Sequence, residues 1–197
     1  MIKKIIRYEV RLWIALFRWV FRRPLPLPPG TTGFQYAGGV KLILGAFIGA
    51  SALEIPILHL ILPWHTVRMI SLFVGGYGLL WMFGLLATMR VHLHLVGPEG
   101  LRIRNSITLD LPIAWDDIAS VRARPRSLPP GGSTQFEDGV LSLGIGAQTA
   151  VDVVLARPLV LPVKKTGGAP VSQIRFHTDT PDELVAAAGA FPRSEVA

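Results

Sequence analysis

The chain of 197 residues contains no cysteine, so disulfide bonds, thiolate nucleophiles and cysteine-ligated metal sites are excluded. It also lacks the Gly-Lys-Ser phosphate loop, the zinc-protease His-Glu-x-x-His pattern and the Gly-x-Ser-x-Gly nucleophile elbow. The sequence therefore predicts no catalytic residue, no metal site and no cofactor. It favours a protein that is not an enzyme, and the absence of cysteine is compatible with a reducing compartment.

Net charge is missing from most of the chain. The formal charge of +7 arises in the first 41 residues, where eight basic residues accompany a single acid, Glu9. From Leu42 onward twelve bases balance twelve acids. A nucleic-acid partner is therefore not expected, because binding to phosphates requires a strongly basic face. The basic residues of the head are Lys3, Lys4, Arg7, Arg11, Arg18, Arg22, Arg23 and Lys41.

Two apolar runs have almost no ionisable residues. Residues 42–62 contain only Glu54 and His59, and residues 69–89 contain none. A helix of 21 residues covers roughly 30 Å, the thickness of the hydrocarbon core of a bilayer. Buried helices of a soluble protein are the alternative, but such helices are usually shorter and have a polar stripe that both runs lack. The sequence thus predicts two transmembrane helices.

The connection between these runs, residues 63–68, is so short that the helices must return antiparallel as a hairpin. Eight Lys and Arg residues precede the first helix, whereas the loop contains only Arg68. The positive-inside rule therefore places the loop outside and both termini in the cytoplasm, as in a multi-pass protein of the inner membrane. Trp64 fits the aromatic belt at the outer interface.

Residues 1–23 have the periodicity of a basic amphipathic helix, with the cations in one arc of about 100° and apolar side chains opposite. We expect such a helix to lie in the headgroup plane and to bind anionic lipid. Docking on a partner protein is the alternative. Glu9 falls inside the apolar arc, and the sequence indicates no reason for it. The residues predicted to bind the membrane surface are Lys3, Lys4, Arg7, Arg11, Trp13, Arg18, Trp19 and Arg22.

Residues 24–41 are predicted to be a proline-rich linker. Pro24, Pro26, Pro28 and Pro29 exclude a helix there and favour a short, stiff polyproline-type spacer. The linker would join the amphipathic helix to the first transmembrane helix.

From residue 90 to residue 197 continuous apolarity gives way to alternation, which predicts strands. His92 and His94 share one strand face, as two metal ligands would, but no third ligand is indicated and we expect them on the outward face of a hairpin. Thr180-Pro181-Asp182-Glu183 is a capping box that predicts a helix reaching Phe191. Such strands and a capping helix predict a small barrel or sandwich. The predicted strands are 91–95, 101–104, 107–111, 118–124, 140–145, 151–156, 159–163 and 171–178.

Several motifs of this region occur in a familiar order. They are Glu99-Gly100-Leu101-Arg102-Ile103-Arg104, Leu111-Pro112-Ile113-Ala114-Trp115-Asp116-Asp117-Ile118, Ile174-Arg175-Phe176 and Asp179-Thr180-Pro181-Asp182-Glu183-Leu184. Over residues 91–191 the chain resembles bacterial pleckstrin-homology-like (PH-like) domains attached to membrane helices. The resemblance implies a seven-stranded, bent sheet with a C-terminal helix, and hence a membrane α + β fold. The whole chain also resembles uncharacterised two-helix membrane proteins of high-GC bacteria, which implies no specific activity.

Anion binding by the β region has one candidate. Eukaryotic relatives of the PH fold bind phosphoinositides through a basic first hairpin loop, but here the loop 97–100 contains Glu99, so this activity is not implied. Arg122, Arg124 and Arg126 form the only local basic run. We interpret them as a solvated strand edge, with contact to an anion or lipid headgroup as the alternative.

The predicted membrane hairpin contains its own polar group. Glu54 and His59 flank Pro56, and unpaired charges inside a bilayer cost several kcal/mol, so both side chains are expected to face protein. In an antiparallel hairpin residues at the same depth have numbers that sum to about 131, which places Tyr77 opposite Glu54. We predict a hydrogen bond from the Tyr77 hydroxyl to Glu54. Polar contacts between helices and proton or ion handling are both open interpretations.

The sequence as a whole favours a membrane protein that presents a cytoplasmic PH-like interaction or scaffolding domain without catalysis. The alternative is a small membrane enzyme or transporter accessory that uses Glu54 and His59. In the favoured interpretation the partners of the protein would be the bilayer, with its anionic headgroups, and an unidentified protein. Small-residue helix faces could also form a homo-oligomer, through Gly45 and Gly49 or through Gly76 and Gly84.

The predicted topology can be tested by cysteine labelling, because the chain has no cysteine of its own. We expect a Thr66→Cys variant in whole cells to react with an impermeant maleimide, since Thr66 lies in the predicted outer loop. A Ser133→Cys variant should react only after the membrane is permeabilised. The reverse pattern would contradict both the orientation and the cytoplasmic assignment.

Overall fold

A computed structural model describes residues 2–23, 26–106 and 108–192, with side chains from Ile5 onward in the first stretch. The chain divides into two compact units. One is helical and contains the first helix and residues 40–91, and the other is a β unit that contains residues 26–39 together with residues 92–192. Helices and strands thus both contribute, as expected for an α + β protein, but the β unit takes in residues on both sides of the hairpin.

The helical unit has three helices: α1 (Ile2–Val20), α2 (Gly38–Ile61) and α3 (His65–Val91). By length and composition both α2 and α3 could cross a membrane. They are longer than the predicted runs 42–62 and 69–89, because each helix begins four residues earlier, at Gly38 and at His65. The connection is correspondingly shorter, with only residues 62–64 between the two helices rather than 63–68.

Helix α1 packs lengthwise against α3. Glu9, near the middle of α1, contacts Tyr77 of α3, and Trp19, near the end of α1, contacts Arg90 near the end of α3. The two helices therefore run in the same direction. Tyr77 to Arg90 corresponds to about 20 Å of helix. A helix lying flat in the headgroup plane would meet a spanning helix over about one turn, so this packing differs from the predicted orientation of α1.

A small residue makes the close approach of α1 possible. Leu12 is fully buried, and its side chain occupies the space that a Cβ atom at Gly84 would need. Trp13 stacks at an angle on Tyr77 with ring centroids 6.0 Å apart, and the rings of Trp19 and Phe83 are 6.5 Å apart. Gly84, predicted as a possible oligomer contact, is therefore occupied within the chain.

Helices α2 and α3 return antiparallel, and Ile55 packs over Gly75. A Cβ atom at Gly75 would lie only 2.8 Å from Ile55 Cγ1. The numbers 55 and 75 sum to 130, close to the value of about 131 expected for residues at equal depth. The predicted depth relation therefore holds at this contact.

The β unit begins before the hairpin. Strand β1 (Thr32–Phe34) pairs antiparallel with β2 (His94–Gly97), in the four-stranded sheet A that continues with β3 (Gly100–Asn105) and β4 (Leu109–Ile113). The prediction of residues 24–41 as a linker is therefore wrong for its second half, where Phe34, Tyr36 and Ala37 are buried. Proline excludes a helix, but it does not exclude a strand after the last proline.

Sheet B has five strands in the order β5-β8-β9-β7-β6. They are β5 (Ile118–Ser127), β6 (Thr134–Glu137), β7 (Val140–Leu143), β8 (Gln148–Val160) and β9 (Pro170–Phe176). The two predicted strands 151–156 and 159–163 form one strand, β8, with an irregularity between Val154 and Leu159. Strands β1 and β6 were not predicted, so the described residues form nine strands where seven were expected.

The inner faces of both sheets and helix α4 (Pro181–Gly189) enclose one apolar core. Helix α4 contacts β2 of sheet A and β5 and β8 of sheet B, and it buries Leu184 and Ala188. Trp115 donates a hydrogen bond from Nε1 to the Gly97 carbonyl at 2.9 Å and stacks on Phe191. A helix follows Thr180 as predicted and packs on both sheets, but it ends at Gly189 rather than Phe191, and the Thr180 side chain makes no capping bond.

Tyr36 and His94 join the segment before the hairpin to the strand after it. Their rings lie 4.6 Å apart, and Phe176 contacts His94 from another side at 4.9 Å. The Ser106 N–H group donates to the Tyr36 hydroxyl at 2.7 Å. The Arg104 N–H group donates to His94 Nδ1 at 3.0 Å. The outward position predicted for His94 is wrong, because the β1 segment covers the face that a two-stranded hairpin would leave open.

Gly38, the first residue of α2, belongs to the β unit and is hydrogen-bonded within it. Asp179 accepts a hydrogen bond from the backbone N–H of Gly38 at 2.7 Å, which satisfies one of the unpaired donors at a helix N-terminus. The carbonyl of Gln35 accepts bonds from Asp179 N–H at 2.8 Å and from the Thr178 hydroxyl at 3.0 Å. At the other end of the hairpin only His92 and Leu93 separate α3 from β2.

Burial of His94 makes stability dependent on pH. Loss of hydration lowers the pKa of His94 to about 4, and the Nε2–H bond to the His177 carbonyl opposes this only in part. The unfolded chain, with an ordinary histidine pKa near 6.5, therefore takes up the proton first as the pH falls. Neutral His94 contributes about 3 kcal/mol to the free energy of unfolding. This contribution is fully present above about pH 6.5 and is lost as the pH falls from there to about 4.

We expect the free energy of unfolding of the full chain in nanodiscs, measured with urea, to fall as the pH is lowered from 6.5 to 4.5. A His94→Gln variant, which does not titrate, should show a shallower fall. His177, whose pKa is also lowered by burial, contributes in the same direction in both proteins. Parallel curves for the two proteins would contradict the role of His94.

The contact between α1 and α3 can be tested at Gly84. The free energy of unfolding of a Gly84→Ala variant should be lower by about 1–3 kcal/mol, because the added methyl group overlaps the buried Leu12 side chain. Gly76→Ala is the matched control, since a Cβ atom at Gly76 meets nothing within 4 Å and alanine favours the helix. Thermal unfolding of both variants in nanodiscs measures the difference, and equal midpoints would contradict this packing.

Candidate functional site

The structure does not bring Glu54, His59 and Tyr77 together as one group. The Tyr77 hydroxyl donates to the Glu9 carboxylate of α1, so the predicted bond from Tyr77 to Glu54 is not the one that the structure shows. This bond gives a reason for Glu9 within the apolar arc of α1. Glu54 and His59 are both exposed and, five residues apart, point about 140° apart around α2.

Glu54 lines a groove between α2 and α3. The groove has a volume of about 380 Å³, and Ser51 and Ser71 line it together with apolar side chains. Its walls are thus mostly apolar with one carboxyl and two hydroxyl groups. In a bilayer this carboxyl would need a partner or a proton, because charge in hydrocarbon is costly.

Three faces can be distinguished on α1. One packs on α3 and includes Leu12, Ala15, Trp13 and Trp19, so the two tryptophans predicted at the lipid boundary contact α3 rings instead. Another has the basic side chains, among which Arg7, Arg11 and Arg22 are exposed and Arg18 is half-buried, whereas the side chains of Lys3 and Lys4 lie outside the described residues. The third face is apolar and exposed, and it consists of Ile6, Val10, Ile14, Phe17 and Phe21.

The predicted basic run Arg122, Arg124 and Arg126 lies on β5, at one edge of sheet B, and all three residues are exposed. An irregularity between Ala123 and Arg126, next to Pro125, interrupts the pairing with β8. Arg126 reaches back over the sheet and contacts Asp152 of β8 at 3.3 Å. The three arginines therefore differ in what they contact, although the sequence presents them as one run.

The outer face of sheet B has a continuous polar row. Residues directly opposite one another on neighbouring strands point to the same face, and one such row crosses all five strands without an apolar member. The adjacent row in register points inward and is apolar. The polar row is Gln135, Ser142, Arg175, Asp152 and Arg122. The apolar row is Phe136, Leu141, Ile174, Val153 and Val121.

Asp152 is the buried centre of this polar row. Its side chain is only 5% exposed, and it lies 3.3 Å from Arg126 and 3.8 Å from Arg175 Nε. Two guanidinium groups thus share one carboxylate, which leaves an excess of one positive charge. Both distances exceed those of a close charged hydrogen bond, about 2.7–2.9 Å, so neither pair is tight.

The segment between β5 and β6 folds over this end of the sheet. Gln135 Nε2 donates to the carbonyls of Pro129 and Gly132 at 3.0 and 3.2 Å, and Leu128 N–H donates to the Ala147 carbonyl at 2.8 Å. The sequence analysis identified Arg126 but missed Asp152 and Arg175. The available signal was Asp152 in the apolar strand 151–156, where a charge needs a partner.

The candidate site is therefore the outer face of sheet B around Asp152, with the Glu54 groove as a second, separate candidate. Among the residues with described positions no cluster of three or more His, Asp or Glu could hold a metal ion. Comparison with protein-family models, with curated proteins and with solved structures gave no match. The function must accordingly be argued from the geometry of the chain itself.

Proposed function

We propose that this chain is an integral protein of a bacterial inner membrane that presents a PH-like domain as a binding and scaffolding module on the cytoplasmic side, without catalysis. In this proposal α2 and α3 span the bilayer with their connection outside. The β unit is connected in the chain to the start of α2 and to the end of α3. Anionic headgroups and an unidentified protein are the proposed partners.

The observation that supports this proposal is the way the β unit takes in both ends of the apolar hairpin. Strand β1 and Tyr36 come shortly before α2, and Asp179 accepts a hydrogen bond from the first residue of α2. After α3 only His92 and Leu93 precede the start of β2. A domain so connected has no long tether. It is suited to holding a partner at the membrane surface.

The polar outer face of sheet B supports the binding part of the proposal. A row of polar side chains with a partly buried ion pair is more than solubility requires, because a sheet face can be solvated with exposed polar residues alone. Arg18 and Arg22, at and just after the end of α1 near the level of Arg90, fit headgroup contact, and the exposed apolar face of α1 fits contact with acyl chains. The orientation then follows from the seven basic residues before α2 and from Lys41 in its first turn.

A second candidate function is supported by one observation, the groove that contains Glu54. A carboxyl that lines an apolar groove of about 380 Å³ together with two hydroxyl groups is suited to accept and release a proton. This candidate would be a small membrane enzyme or transporter accessory. His59 would act separately, since it points elsewhere on α2.

Photo-crosslinking in native membranes tests the proposal against this alternative. A benzophenone amino acid at Arg122, on the outer face of sheet B, should give partner adducts, whereas the same group at the exposed Glu183 of α4 should not. The adducts should persist when Glu54 and His59 are both replaced by Leu. Loss of the adducts at unchanged abundance would favour the alternative, and equal labelling at both positions would contradict a specific binding face.

A further inference from the structure

A polar cavity opens at the end of the outer face of sheet B. It has a volume of about 530 Å³, and strands β5, β6, β7, β8 and β9 all contribute to its lining. Cavities of roughly 300–1,000 Å³ accommodate small molecules. This size therefore fits a small ligand rather than a protein segment. The residues on which the argument depends are Arg126, Glu137, Asp138, Ser142, Thr149 and Arg175.

One end of the cavity is cationic. Arg126 and Arg175 line it, and the single carboxylate of Asp152 behind them neutralises only one of the two charges. Arg175 Nε has no hydrogen-bond partner among the described residues, although it lies 3.8 Å from Asp152. Guanidinium groups bind carboxylate and phosphate oxygens through paired N–H bonds. This end is thus suited to an oxyanion.

Two hydroxyl groups lie at the same cavity. Thr149 is 1% exposed, and its Oγ1 finds no hydrogen-bond partner within the described part of the chain. Ser142 is also buried and lies directly opposite Arg175 in register. A buried hydroxyl group without a partner destabilises the fold, so its retention is explained most directly by a ligand that completes the bond.

The other end of the cavity is acidic. Glu137 and Asp138 line it at the turn between β6 and β7, and both are exposed. This turn is fixed to β9, because Ser172 N–H donates to the Gly139 carbonyl at 2.8 Å. Glu137 is level with Gln173, because both pair with Val140. Gln173 lies two residues from Arg175, so the acidic and cationic ends of the cavity are about 7 Å apart along the strands.

We infer that this cavity binds a small zwitterion, with an oxyanion at Arg126 and Arg175 and an amine at Glu137 and Asp138. The ligand class includes free amino acids and the phosphoethanolamine headgroup of a lipid. A simple anion would contact the arginines alone and a simple amine the acidic end alone, whereas a zwitterion contacts both ends. The inference rests on the proposed function only in treating the β unit as a binding module.

Calorimetric titration of the full chain in nanodiscs of phosphatidylglycerol tests this inference. The soluble probes are alanine, lysine and phosphoethanolamine, and inorganic phosphate, acetate and ethylamine are the single-charge controls. We expect at least one zwitterion to bind about tenfold more tightly than every control. A second arm uses nanodiscs with phosphatidylethanolamine: weakened binding of the soluble probe there identifies the lipid headgroup as the source, and unchanged binding identifies a free ligand.

Variants locate the binding. Arg126→Gln and Glu137→Gln should each lower the affinity for the zwitterion about tenfold. Arg124→Gln should leave the affinity unchanged, because Arg124 lies on β5 like Arg126 but outside the cavity lining. Thr149→Val should weaken binding without lowering the unfolding midpoint of the free protein, because its hydroxyl group makes no bond in the fold. A merely structural Thr149 would show a lower midpoint and unchanged binding.

Three results would overturn the inference. They are no binding of any zwitterion up to about 10 mM, equal binding of inorganic phosphate, and unchanged binding in both Arg126→Gln and Glu137→Gln. None of them bears on membrane topology or on crosslinking at Arg122. Failure of the zwitterion site therefore differs from failure of the proposed function.

Discussion

The structure depends on one closure, in which the segment before the hairpin completes the β unit that follows it. Phe34 pairs with His94 in the β1–β2 ladder, and Tyr36 is buried between His94 and Ser106. Burial raises the pKa of Tyr36 to about 12, so the phenol stays neutral and its oxygen accepts the Ser106 N–H bond. Without this segment His94 would be exposed and sheet A would lose its edge strand. The closure also fixes the first residue of α2, because Asp179 bonds to Gly38.

Most elements could be predicted from the sequence because their patterns are local. Length and composition identified the two apolar helices, the arc of cations identified α1, and the capping box identified α4. The strand β1 could not be found in this way, since a strand of three residues shows no periodicity and its burial depends on β2, about 60 residues later. The inward position of His94 has the same origin. Alternation along one strand cannot tell that a distant segment covers the polar face.

The candidate site shows the same limit in its electrostatics. Arg122, Arg124 and Arg126 looked alike in the sequence, but a strand irregularity and the position of Asp152 give each a different environment. The missed acid of the site lies within an apolar run, where periodicity assigns it simply to the outer face. A buried ion pair contributes little to stability compared with apolar residues of similar volume. The loose geometry around Asp152 is therefore better explained by a group that the arginines can still bind than by a need for stability.

The closure also bears on the order of folding. Joining β1 to β2 across a flexible loop of about 60 residues would cost about 4 kcal/mol of chain entropy before any helix forms. An antiparallel helical hairpin removes most of that cost, because α2 and α3 return the chain to the level at which it left. A formed helical hairpin would thus assist the pairing of β1 with β2. The packing of Ile55 on Gly75 sets the register of that return.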